Sequence, residues 1–325
     1  MLIGEGAREH SLGWKLAQSP RIGRLISVPG NPGLESLGET VPEISASDTA
    51  RISEFAVTRG VDLAIIGPED PLAKGLVDDL TAAGVAAFGP TRAAARLESS
   101  KWFGKEVMAK ADVATASAQV FSEEGPAVAA LRRQEAPFVV KADGLAAGKG
   151  VLVSDQLADA EAWVNRCLSG GLGQAGSRVL IEEHLPGPEL SLFAICDGQE
   201  PVALAPARDY KRLGDGDEGP NTGGMGSYSP VDLPLGLQKE LLEEIVRPVL
   251  AVLIDQGTPY MGFLYVGLVL TEDGPKVLEF NVRLGDPEAQ AILPRLRSDL
   301  LELVLACLNG GIGQLRPEWS DLAAV

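Results

Sequence analysis

Lys141-Ala142-Asp143-Gly144-Leu145-Ala146-Ala147-Gly148-Lys149-Gly150 is a glycine-rich run with a lysine near each end. Apolar residues flank it, Phe138-Val139-Val140 before and Val151-Leu152-Val153 after, so the glycines fall in a loop between two strands. Glycine lets the backbone approach an anion closely, and small neighbours leave its N–H groups open to phosphate oxygens. Lys149 is expected to follow a phosphate as a mobile charge, and Lys141, at the end of a strand, to hold one in place. This is not a Walker A loop: the glycine spacing differs, Gly150 stands where Ser or Thr is required, and no helix follows. Taken alone, the loop can also be a flexible hairpin with solvated lysines.

A second strand carries complementary chemistry. Val277-Leu278-Glu279-Phe280-Asn281-Val282-Arg283 alternates, which predicts Glu279, Asn281 and Arg283 on one face and Leu278, Phe280 and Val282 on the other. A carboxylate and an amide carbonyl suit Mg²⁺, which completes its shell with waters and phosphate oxygens. Arg283 beside them suits the charge of a transferred phosphoryl group or a carboxylate. An edge strand with a polar outer face is the alternative. Asp286 is expected to be the N-cap of the helix that follows, with Pro287 at its first position, N1.

Around these motifs the chain is α/β. Leu25-Ile26-Ser27-Val28, Leu63-Ala64-Ile65-Ile66 and Val85-Ala86-Ala87-Phe88 read as buried strands, with helices at 8–19, 48–59 and 72–83. That alternation predicts a parallel sheet whose ligand turns lie at the strands' carboxyl ends. A smaller unit of strand, helix, strand, loop, strand, helix, strand runs from about 118 to 188. Long strands follow at roughly 189–196, 262–271 and 276–281, with a helix near 236–255. The Gly/Asp-rich stretch 214–227 reads as a long loop of functional kind. Ile181-Glu182-Glu183-His184-Leu185 and Glu189 offer backbone groups and a carboxylate to a nucleoside, or form a plain hinge.

The bulk properties narrow the chemistry. The chain has 325 residues and a net charge of −17, which argues against nucleic acid as a main partner but not against a nucleotide held locally by a few cations. Cys167, Cys196 and Cys307 are too scattered for a disulfide framework or zinc site. The longest apolar runs, such as Val249 to Ile254, fall far short of the roughly 20 residues of a membrane span. No N-terminal signal is visible, and a cytoplasmic location is expected by default.

The motifs occur together with GAREH at 6–10, PGNPG at 29–33, GPE at 67–69, DYKR at 209–212, GPNTGGMGSYSP at 219–230 and EFNVRLGDPE at 279–288. In that order the chain resembles the ATP-grasp enzymes and, more narrowly, the phosphoribosylamine–glycine ligases (glycinamide ribonucleotide synthetases) of purine biosynthesis. The resemblance runs from end to end. It implies an N-terminal Rossmann-like domain over 1–99, a small ATP-grasp lobe over 118–188, and a large lobe of 100–117 plus 189–325. The family's usual C-terminal domain is expected to be absent, since the chain stops at Val325.

The resemblance also assigns roles. ATP, the co-substrate, would meet Lys101, Lys141 and Lys149 at its phosphates and Glu182, Glu183, Leu185 and Glu189 at its adenosine. Glu279 and Asn281 would ligate Mg²⁺ (or Mn²⁺). Arg283, Asp209 and Lys211, with Gly223, Gly224 and Met225 of the glycine-rich stretch, would surround glycine and its acyl phosphate. Gly6, Arg8, Glu9, Asn31 and Glu69 would receive 5-phosphoribosylamine. Glycine would be activated as glycyl phosphate and joined to the amine. The implied partners are these small molecules, with neither nucleic acid nor membrane, and a missing C-terminal domain or other purine-pathway enzymes besides. Gly267 stands roughly where many ATP-grasp proteins carry a further acidic metal ligand. A C-terminally truncated ATP-binding fragment with little or no turnover is the alternative function.

Overall fold

The computed structural model describes residues 1–325 except Ala147, Gly148 and Asp217, so the middle of the phosphate loop lies outside the described residues. Three sheets organise the chain. The first is parallel, with β1 (Leu2–Gly4), β2 (Ile26–Pro29), β3 (Glu39–Thr40), β4 (Leu63–Ile66) and β5 (Ala86–Phe88) in the order β3-β2-β1-β4-β5. Its strands are short and nearly all buried, as a sheet covered by helices on both faces requires. The turns after β1, β2 and β4 emerge together at the carboxyl edge.

The helix expected at 72–83 is two helices, Glu69–Lys74 and Leu76–Ala82. Gly75 breaks them apart with φ +93°, a left-handed backbone that glycine adopts without penalty.

The small sheet is antiparallel. Its strands β6 (Ala118–Phe121), β7 (Phe138–Ala142), β8 (Val151–Ser154) and β9 (Val179–Glu182) lie in the order β6-β9-β7-β8. Two helices, Glu124–Leu131 and Leu157–Arg166, cover one face and give this unit its own apolar core.

The large sheet holds β10 (Glu189–Asp197), β11 (Pro201–Gly214), β12 (Glu218–Tyr228), β13 (Met261–Thr271) and β14 (Gly274–Asn281), ordered β12-β11-β10-β13-β14. Here the expected long loop at 214–227 is corrected, because most of it is strand β12, paired antiparallel with β11. Glycine removes the side chains but not the ladder bonds. Two register shifts let the strand stay irregular where it crosses Pro287; a Cβ on Gly224 would come within 2.5 Å of that ring.

The parallel sheet and the large sheet share their apolar cores. Leu72, Leu76 and Phe103 pack in one cluster with Leu192, Val266 and Phe280, while Phe88 and Leu12 join Phe193 and Phe263 in another. Phe88 meets Phe263 edge to face, ring centroids 5.0 Å apart. Among the described residues no helix is long and apolar enough to cross a membrane. All three cysteines are free and buried.

Removing the Phe263 ring leaves a cavity between the two sheets. Phe263→Ala is expected to cost about 3–5 kcal/mol in denaturant unfolding. A loss below about 1 kcal/mol would contradict a shared core.

Candidate active site between the lobes

A cavity of about 550 Å³ opens between the small sheet and the large one. Its walls differ in chemistry. Leu185, Val269 and Leu278, packed with Ala116, form a small apolar patch, extended by Met108 and Val139. Beside it Lys101, Lys141 and Lys211 gather about Glu279, with Asn281 and Asp209 lining the same cavity.

Leu278 corrects an expectation. Strict alternation predicts it on the face opposite Glu279, but the β13–β14 register jumps from Gly267↔Glu279 to Leu268↔Val277. The extra residue forms a bulge, and Leu278 turns onto the cavity side beside Glu279. Phe280 and Val282 do face the core as predicted.

Lys141 ends β7 and its side chain is almost wholly buried. Its ammonium lies 2.9 Å from Glu182 Oε2 and donates to the Leu278 carbonyl at 3.2 Å. Lys105, one turn beyond Lys101 on the helix Lys101–Lys110, reaches the same Glu182 oxygen at 3.3 Å. Burial lowers the Lys105 ammonium, against the pull of Glu182. The other oxygen, Glu182 Oε1, is buried without a hydrogen-bond partner. An orphaned acceptor of this kind costs stability unless a donor reaches it.

The start of the phosphate loop is anchored by Asp143, which accepts from the Trp102 N–H at 2.7 Å, from Ser100 Oγ at 3.2 Å, and from Arg178. Lys101 Nζ is thereby held 3.4 Å from the Gly144 carbonyl. Lys149 is exposed and does not line the cavity, although Ala146 and Gly150 on either side of it do. Glu183 accepts from Ser117 Oγ at 3.0 Å at the hinge, and Glu189 meets Lys211 at 3.0 Å.

On β14 the charges around Glu279 oppose the effect of its burial. Burial raises the Glu279 carboxyl, but Lys211, Lys101, Lys141 and Arg283 outweigh it and hold the group below its ordinary range. Burial lowers Lys211, yet Tyr265, Glu189, Asp209 and Glu279 push it well up. Gly267 is paired directly with Glu279, and a Cβ there would meet the Tyr265 ring at 3.2 Å, so Tyr265 fills the room of a side chain. Among the described residues no group of three or more His, Cys, Asp and Glu is arranged to hold a metal.

Arg283 is not free. Its guanidinium meets Glu69 Oε2 at 3.1 Å and Glu98 Oε1 at 3.1 Å, so it serves first as a buried joint. Arg8 extends the joint, 3.8 Å from Glu69 and bonded to Glu9 at 2.6 Å. Glu9 is buried and accepts the Gly6 N–H at 2.8 Å, while Asn31 donates to the Glu5 and Gly6 carbonyls and caps Leu34 N. Gly6, Arg8, Glu9 and Asn31 thus shape the first turn and do not line the cavity, whereas Glu69 does. Gly223 lines it too; Met225 is exposed. Asp286 accepts from Gln290 Nε2 at 2.6 Å and makes no backbone cap, correcting its expected role.

Lys105, Glu98 and Glu288 also line the cavity, and the sequence reading gives them no role. Lys105 repeats Lys101 at helical spacing, which is a usable signal. Glu98 and Glu288 gain meaning only through partners far along the chain.

The family model described as phosphoribosylglycinamide synthetase, N domain, matches residues 1–98, and that described as its ATP-grasp (A) domain matches residues 99–289. This chain belongs to the phosphoribosylglycinamide synthetase family. It is 49% identical over 334 residues to the phosphoribosylamine–glycine ligase of Allochromatium vinosum and 46% over 326 residues to that of Agrobacterium fabrum, covering all of this chain and 77% of each relative. The crystal structure of the Thermotoga maritima phosphoribosylamine–glycine ligase superposes with a TM-score of 0.84 at 33% identity, over 98% of this chain and 77% of that one. The family comprises ATP-grasp ligases of purine biosynthesis, and the parallel sheet followed by two ATP-grasp lobes is its fold.

The buried acids Asp209 and Glu288 beside Lys211 make stability depend on pH. Burial, then the Asp209 charge, push the Glu288 carboxyl above its ordinary 4.5, and burial raises Asp209 likewise. An acid raised in the folded state binds extra protons there. Its stabilising contribution is present at low pH and is lost as pH rises from the ordinary carboxylate range through the raised value. Glu288→Gln keeps an acceptor for Ser191 and is expected to melt about 2 °C or more higher at pH 8, with a flatter fall of stability above pH about 5. A lower melting temperature at pH 8 would contradict this.

Proposed function

We propose that this chain joins glycine to 5-phosphoribosylamine at the expense of ATP, giving glycinamide ribonucleotide, ADP and phosphate. The observation that carries the proposal is the lining of the interlobe cavity: an apolar patch around Leu185 and Leu278, and beside it three lysines gathered about Glu279, with Asn281. The lobes at 118–188 and at 100–117 with 189–325 would close on ATP. Adenine suits the patch at Leu185 and Leu278, and its exocyclic amine would satisfy the orphaned Glu182 Oε1. Glu189, which lines the cavity, would accept from ribose hydroxyls. Lys101 and Lys141 would bind phosphate oxygens, with Lys149 closing from the loop.

The donor set fits a divalent cation such as Mg²⁺ or Mn²⁺. Glu279 is held ionised by the cations around it, and Asn281 offers an amide oxygen on the same face. When bound, such an ion would neutralise charge on the phosphates being cleaved.

A glycine carboxylate oxygen attacks the γ-phosphorus, the bond to the β,γ-bridging oxygen breaks, and ADP leaves. Lysines already held in place stabilise the transferring group without reorganising. The amine nitrogen of 5-phosphoribosylamine then attacks the carbonyl carbon of glycyl phosphate. The carbon–oxygen bond to phosphate breaks and the nitrogen gives up a proton. Asp209 and Lys211, with Gly223, Gly224 and Met225 along β12, would border the glycine, and Arg283 and Glu69 would border the incoming amine. Gly6, Arg8, Glu9 and Asn31 would support that end through the first turn. Closure matters because an acyl phosphate is lost to water. Charged metabolites of this kind fit a cytoplasmic setting.

The test is phosphate release with ATP, Mg²⁺, glycine and 5-phosphoribosylamine. The rate is expected to require both acceptors and to fall roughly 100-fold or more in Lys141→Ala. A wild-type chain releasing no more phosphate than that variant, while still binding MgATP in a calorimeter, would overturn the ligase reading.

A further inference from the structure

We infer that Glu98 is a positioning residue for the metal strand, acting from the opposite side of the domain junction. The inference rests on the proposed reading of Glu279 and Asn281 as cation donors. Glu98 lies at the end of the helix Arg92–Ser99 and is buried. Its Oε2 accepts the Val282 N–H at 2.7 Å, and its Oε1 meets Arg283 at 3.1 Å.

Val282 lies between Asn281 and Arg283, just beyond the last paired residue of β14, where Asn281 faces Tyr265. The ladder has ended there, and its next N–H is taken by a carboxylate 184 residues away in sequence. Arg283 is gripped from its other side by Glu69, at 3.1 Å, and the Leu284 carbonyl accepts from Arg8 at 3.3 Å. Among the described residues, the side-chain hydrogen bonds and ion pairs that reach the turn 281–284 from outside the large sheet come from residues 1–98. The backbone that follows Asn281 is thereby fixed across the junction.

Energetics favour this reading over packing alone. A buried carboxylate is costly, and burial indeed raises Glu98. An apolar side chain would fill the volume at lower cost but would leave the Val282 N–H without a partner and Arg283 with one carboxylate fewer. Partners that orient metal-binding groups typically contribute roughly 10–100-fold to metal affinity.

Two conservative variants test this. Glu98→Asp keeps the charge but is one methylene too short to reach Val282; Glu98→Gln reaches it without the charge. Mn²⁺ binding in the presence of saturating ATP is followed by water-proton relaxation, and metal-free ADP binding by calorimetry. Glu98→Asp is expected to weaken Mn²⁺ roughly tenfold or more with ADP affinity within about twofold, and Glu98→Gln to stay within about threefold of wild type for Mn²⁺. Wild-type Mn²⁺ affinity in Glu98→Asp, or an equal loss of ADP affinity, would overturn the role. Turnover is scored separately: a wild-type chain that binds Mn²⁺ with ATP but makes no product defeats the proposed reaction and leaves this inference standing. A wild-type chain that binds no Mn²⁺ with ATP defeats both.

Discussion

The Lys141 ammonium is buried between Glu182 Oε2 and the Leu278 carbonyl, and the geometry of the cavity depends on it. One charge ties β7 to its neighbour β9 and, across the gap, to β14. Burying a charge costs several kcal/mol unless its partners are well placed, so the pair with Glu182 fixes β7 against β9 and the bond to Leu278 favours this spacing from β14. The arrangement holds a cation ready at the point where a phosphate would come to rest. Lys105 and Asp143 extend the same constraint into the helix Lys101–Lys110 and the start of the glycine loop.

A second constraint runs through Arg283 and couples the parallel sheet to the large one. Glu69, Glu98 and Arg8 converge on the turn after β14, and the apolar clusters on both sides of that turn are shared between the two sheets. The N-terminal sheet is therefore more than a separate binding platform. It supplies the carboxylates that hold the turn after β14. Burial raises the carboxyls of Asp209, Glu288 and Glu98, acids that this scaffold holds beside Lys211 and Arg283.

Much of this was legible in the sequence. Strand β4 falls where Leu63-Ala64-Ile65-Ile66 predicts it, and the order of elements in the small sheet follows the sequence pattern from 118 onward. Local chemistry is what such reading sees well: glycine between apolar runs, alternation on a strand. It fails where a single residue changes the register or the partner is remote. The bulge that turns Leu278 toward the cavity leaves no mark in the alternation of 277–283. Strand β12 looks like a loop because its glycines carry no pattern, although their backbone pairs with β11. Glu98 reads as an ordinary helix-end acid until Val282 is brought against it. The sequence offers Arg283 as a candidate for binding an anion; its two carboxylate partners, and so its place as a joint, do not show there.

The central claim is that this cavity activates a carboxylate by phosphorylating it. Glycine labelled with ¹⁸O in both carboxylate oxygens tests it most directly, with the released phosphate analysed by mass spectrometry. The account predicts that each phosphate formed with product carries one ¹⁸O, transferred from glycine through glycyl phosphate. Unlabelled phosphate accompanying product would contradict it.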